Sequence, residues 1–210
     1  MTISDSAENT VLDDIFNAGS GFSLSADPWV SLHTADPGET GANEVTGGSY
    51  GRQQVAFGAA SSGTLSNSAQ VDFTGMPTTT TYAWGVWTAS TGGTCLWTGW
   101  SSTVHKLFVV TAADLTGNTI QSPGHGFTND DRVVFEQVAG LGLPTGITAG
   151  TIYWVLATTT DTYTISTTQD GTAVDITAEG VGLAHKVIGR ATTSGQTLRI
   201  AAGDLDIFLD

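Results

Sequence analysis

Four histidines, His33, His105, His125 and His185, are the side chains best suited to acid–base or metal chemistry, and none has a partner at a spacing that defines a metal site. His33 alternates with Trp29 and Ser31 along WVSLH, which predicts one face of a strand and a half-buried or surface histidine. His125 sits in SPGHGF, a turn context that tolerates unusual dihedrals. A catalytic histidine needs a nucleophile and an orienting carboxylate, and spacing along the chain reveals no such set.

Carboxylates are plentiful, but Asp36, Asp130, Asp131, Asp161 and Asp170 stand among turn-forming residues and are explained by turn chemistry. Asn129-Asp130-Asp131 has the ligand chemistry for calcium without the spacing of an EF-hand loop. Gly47-Gly48 and Gly92-Gly93 lack the strand–loop–helix context and the Gly-Lys-Ser/Thr ending of a phosphate loop, so they read as turns. The lone Cys95, in the run CLW, reads as a small core residue, and a single cysteine permits neither an intrachain disulfide nor a cysteine-based zinc cluster. No cofactor is expected.

Tryptophan is the remaining chemistry. Trp84 and Trp87 lie three apart on one predicted strand, and Trp97 and Trp100 three apart on the next, so each pair divides between the two faces of a sheet. One member of each pair can enter the core while the other meets a protein partner or a sugar ring. A sandwich core holding all four is the structural alternative.

These side chains need elements to position them. Val11, Leu12, Ile15 and Phe16 fall on one face and predict an amphipathic helix over residues 4–19, with Asp5 and Glu8 as a capping box and Gly19 at its end. A helix so short must dock on its own sheet or on a neighbouring subunit, through a Gly19-Ser20-Gly21 hinge. From residue 29 the period becomes two, and strands are predicted at 29–33, 53–58, 69–74, 82–88, 95–100, 196–201 and 205–209. In the last two, Leu198, Ile200, Leu205, Ile207 and Leu209 should face the core. Residues 107–184, with strands at 132–136, 152–156, 162–166 and 172–176, read as a small β module inserted into a host domain of residues 1–106 plus 185–210. The repeated dipeptides His105-Lys106 and His185-Lys186 mark its edges.

Composition agrees with an all-β chain. It is rich in threonine, carries 27 glycines among 210 residues, and is only 12% charged. The net charge of −14 repels phosphate backbones and anionic lipid, which disfavours nucleic-acid and membrane-surface partners. The N-terminus has no secretory pattern and no apolar run approaches 18 residues, so a soluble protein made in a cytoplasm is expected.

Three stretches carry a resemblance. Val30 to Val45 (VSLHTADPGETGANEV), followed by Ser49-Tyr50-Gly51-Arg52-Gln53, resembles a tailed-phage virion family labelled tail fibre, minor tail or decoration protein, with its LHTADPG…TG…EV…YARQ signature. The ending GQTLRIAAGDL, residues 195–205, is similar to that family's GxTLRFAAGDL. Gly51 stands where the signature has Ala, and Ile200 where it has Phe. The segment His125 to Ser166 resembles a separate short β module of phage structural proteins.

The resemblance implies a non-enzymatic structural component of a tailed-phage virion, assembled in the host cytoplasm and located on the particle. The expected fold is a jelly-roll-like β-sandwich with an N-terminal helix and the inserted module. A capsid-surface decoration or head-fibre protein, binding the capsid lattice as a homotrimer, is the first expectation. A tail-associated fibre or collar protein, or a module that binds a host glycan or receptor, is the alternative. Candidate protein-interface residues are Val11, Leu12, Ile15, Phe16, Trp84, Trp87, Trp97 and Trp100.

Overall fold

The computed structural model describes residues 5–16, 27–138 and 140–208. The chain is mostly β. Helix α1 (Asp5–Phe16) is followed by β1 (Trp29–His33), β2 (Gln53–Gln54), β3 (Thr64–Ser66), β4 (Val71–Phe73), β5 (Thr79–Thr81), β6 (Ala83–Trp87) and β7 (Cys95–Trp100). Then come β8 (Ser102–Val110), β9 (Ile120–Gln121), β10 (Arg132–Glu136), β11 (Tyr153–Leu156), β12 (Thr162–Ser166) and β13 (Gly180–Val187). The last strands are β14 (Arg190–Thr192), β15 (Leu198–Ile200) and β16 (Asp206–Phe208). The predicted helix end at Gly19, the hinge and Leu209 lie outside the described residues.

The chain forms two compact units, residues 1–99 with 190–210 and residues 100–189. In the first, a four-stranded sheet runs in the order β2-β1-β6-β7, and two-stranded antiparallel ladders pair β14 with β5, β15 with β4 and β16 with β3. The late strands therefore pair with early ones rather than with each other, which ties the end of the chain to its beginning. Leu198, Ile200, Leu205 and Ile207 are buried in one core with Val30, Leu32, Val86 and Phe73. Leu12 and Phe16 are buried in the same core, Phe16 packing edge-on against Phe57 and Trp97 at 5.5 and 6.4 Å. On the polar side of α1, Asn9 Oδ1 and Asp13 Oδ1 accept hydrogen bonds from the Gly63 and Ala60 amides.

The second unit is a closed antiparallel barrel in the order β10-β11-β12-β9-β8-β13. Closure leaves no strand edge exposed to pair with another chain. Phe108, Phe135, Tyr153, Val155, Tyr163 and Ile165 fill its interior. Two expectations change here. Residues 172–176 are not a strand: Val174 donates to the Ile165 carbonyl and Ile176 to Asn118 Oδ1, so no ladder forms. The His-Lys dipeptides lie inside β8 and β13, where His105 is the register partner of His185, because these strands continue through them to residues 102 and 187.

Candidate functional site

The face of β1 and β6 turned away from the core carries Trp29, Ser31 and His33 opposite Trp87, Gly85 and Ala83. Residues 34–45 fold over that face. Their path is set by Asp36, whose Oδ1 accepts from the Gly38 amide, and by Asn43, whose side chain donates to the Asp36 carbonyl. Gly41 has φ +68° and lies against the Trp87 ring, where an added Cβ would stand 2.1 Å from Cζ2. No other residue type fits there.

Under this loop the hydrogen-bond directions are determined. His33 Nδ1 is 2.6 Å from the Ala42 carbonyl, which can only accept, so Nδ1 carries the proton. In the neutral ring Nε2 is then an acceptor and takes the Ser31 hydroxyl proton at 2.6 Å in preference to the more distant Gly85 carbonyl at 3.3 Å, while Ser31 Oγ accepts from Trp87 Nε1 at 2.7 Å. The chain of donors runs Trp87, Ser31, His33, Ala42. Desolvation by burial lowers the His33 pKa, keeping the neutral ring that this arrangement requires.

Beside it, Arg52 lies over the Trp87 ring with its guanidinium carbon 3.4 Å from the centroid. Arg52 Nε and Nη2 grip Glu44 in a bidentate pair, at 3.0 Å to Oε1 and 2.8 Å to Oε2. Its Nη1 donates to the Ala89 and Gly92 carbonyls, at 3.1 and 2.7 Å, and so fastens the turn between β6 and β7. Tyr50 completes the group. Its hydroxyl accepts from the Leu32 amide at 2.9 Å and reaches Glu44 at 3.3 Å, and burial raises its pKa well above the usual tyrosine range.

A serine hydroxyl 2.6 Å from an imidazole is the geometry of an activated nucleophile. Here Ser31 and His33 are both 0% exposed. The network therefore acts as a clasp, holding two exposed loops, 36–43 and 88–94, on one sheet.

The structure brings together His33 and Trp87 from the predicted set. His33 is fully buried instead of half-buried or at the surface, because the 34–45 loop covers its face. Trp84 and Trp97 are half-buried against the core, Trp87 is buried, and Trp100 is half-buried. No ring of the four stands free on the surface. In α1, Leu12 and Phe16 close the chain's own core, Ile15 packs partly against it, and Val11 remains 41% exposed. Asp131 Oδ2 accepts from the Thr128 amide of its own turn and pairs with Lys186 Nζ, whereas Asn129 Oδ1 accepts from Thr158 and Asp161 Oδ1 from the Gly124 amide, each joining turns distant in sequence. Among the described residues no group of three or more His, Cys, Asp or Glu side chains is placed to hold a metal ion. His105 and His185 meet edge to face at 4.3 Å, with His185 Nε2 3.0 Å from Glu136 Oε2.

Glu44, Tyr50 and Arg52 were not singled out as chemistry-bearing residues. They stand within the quoted signature stretches, which was the available signal, but their convergence on a tryptophan 35 residues after Arg52 is a tertiary fact. A family model described as Podophage GP4 fiber I protein gp80 matches residues 2–121. That span contains the whole clasp and ends at the last residue of β9. No curated protein matches the chain.

Proposed function

As the chain belongs to the Podophage GP4 fiber I protein gp80 family, a family of tailed-phage virion structural proteins, we propose that it is a non-enzymatic fibre subunit that works by protein contact on the particle. The observation that carries this reading is the clasp. It takes the side chains of the signature that could do chemistry, buries them, and uses them to hold the 36–43 and 88–94 loops in a fixed shape. Loops held rigid before docking lose little entropy on contact, which suits a lattice contact. Both are built mainly of small residues, 36–43 with two carboxylates, Asp36 and Glu39, and 88–94 with no charge. The first unit is read as the jelly-roll-like sandwich that presents them, and the barrel as an accessory module.

Attachment to the capsid surface as a homotrimeric decoration or head fibre is the first reading, since symmetric copies multiply weak contacts. A tail-associated fibre is the second, favoured by the family's description as a fiber. Negative-stain imaging of particles labelled with an antibody against this chain separates them. Label over the capsid is expected; label confined to the tail assigns the second reading, and unlabelled particles overturn both.

A further inference from the structure

Among the described residues three buried side-chain atoms lack a hydrogen-bond partner, all of them in the barrel: His185 Nε2, which stands 3.0 Å from the Glu136 carboxylate, and His125 Nε2 and the Tyr163 hydroxyl, which have no such ion-pair partner. His125 and Tyr163 are 1% and 0% exposed. The two rings meet edge to face at 5.0 Å, and Phe127 joins them at 5.1 Å from His125 and 5.3 Å from Tyr163. The clasp of the first unit uses neither residue.

The protonation of both is determined. The Phe127 amide donates to His125 Nδ1 at 2.9 Å, so the neutral ring carries its hydrogen on Nε2. Burial pushes the Tyr163 pKa far above the usual range, so the phenol keeps its hydrogen. Each group is thus a donor in an apolar interior, where an unmet polar atom is costly and phenylalanine at 163 would fill the same space without that cost. A group that accepts from one and hydrogen-bonds the other removes both costs at once, and a buried water is the smallest species that does so.

We propose that His125 and Tyr163 form an internal binding site for a single water molecule, which accepts the Nε2 hydrogen of His125, bonds the Tyr163 hydroxyl, and ties the Pro123–Phe127 turn to β12. The ligand sets the tautomer of His125 through one nitrogen while the Phe127 amide sets it through the other.

The test is a double-mutant cycle on the full chain with Tyr163→Phe and His125→Asn, the asparagine oxygen being able to take the Phe127 amide in an Asx turn. Each single variant is expected to lower the Tm by roughly 4 °C. The double variant should be no worse than the weaker single, because one shared water is lost once. Additive losses, or a Tyr163→Phe variant as stable as the parent or more so, overturn the proposal. Should a variant fail to fold, the parent protein decides: an NMR cross-peak from the His125 Nε2 hydrogen to a long-lived water supports the site, and its absence overturns it.

Discussion

Burial favours the uncharged His33 ring, so between the ordinary histidine value of 6.5 and its lower value in the fold the unfolded chain binds a proton that the native chain refuses. The contribution is therefore complete above pH 6.5 and declines as the pH falls below it. Glu136 adds to the loss only further down: contact with His185 holds its carboxyl below the usual value of 4.5, so its contribution is present above that value and is lost beneath it. Calorimetry should show the Tm falling as the pH drops below 6.5, and His33→Gln should be less stable at neutral pH but flatter below that value. An unchanged slope in the variant would remove His33 from the account. Arg52 is the other decisive side chain, since it joins Glu44, the Trp87 face and two carbonyls of the 88–94 loop. Removing one partner of a largely buried pair leaves the other uncompensated, so Arg52→Ala should cost about 3–5 kcal/mol in urea unfolding. Arg52→Lys should recover only part, because an ammonium offers neither the bidentate fork nor the stacking plane. Little of this was legible in the residues taken singly. His33 showed a strand face, but nothing in WVSLH states that a loop ten residues on returns to cover it.

At the scale of elements, α1 docks on its own unit through Leu12 and Phe16, with Asn9 and Asp13 meeting loop amides beside them. Truncating a fully buried aromatic costs about 3–5 kcal/mol, so Phe16→Ala should destabilise the first unit and raise hydrogen exchange in the helix and in β3. Exchange unchanged in both would mean that the helix contributes nothing to the core. Exposed Val11 is the member of the stripe left for a neighbour, and Val11→Asp should leave the Tm of the isolated protein nearly unchanged. Elements with clear alternation were readable: β10 and β12 fall on the predicted residues, and β1 and β7 likewise. β8 and β13 were not read as whole strands, because Val-Gly-Leu-Ala-His-Lys-Val has no clean period and its glycines resemble a turn. The short ladders β3, β5 and β14 were missed for a related reason. Three residues such as Thr79–Thr81 carry no pattern of their own, and their pairing with Arg190–Thr192 is decided by the return of the chain over a hundred residues later.

At the scale of the whole molecule, the chain leaves the first unit after Gly99 and re-enters it at Arg190. Within the barrel the two ends are neighbours, since the Ile188 amide donates to the Ser101 carbonyl at 2.7 Å and Ser102 is the register partner of Val187. A short linker can therefore span the gap, with little loop-closure entropy to add. The cut must fall there. Deleting 107–184 instead would leave stubs of β8 and β13 without their barrel partners, whereas deleting 100–189 removes every barrel strand and takes from the first unit's strands only Trp100, the last residue of β7. Each unit also has its own buried cluster, one built on Leu65, Phe73 and Leu205 and the other on Phe108, Phe135 and Tyr163. Independent cores predict independent cooperativity. With residues 100–189 replaced by a Gly/Ser linker, the first unit should keep a single cooperative thermal transition, and light scattering should report the same oligomeric state as the full chain if the proposed contacts between copies belong to the first unit. A variant that loses its transition would show that the two units share one folding unit, and one that folds as a monomer would move the contacts between copies to the barrel.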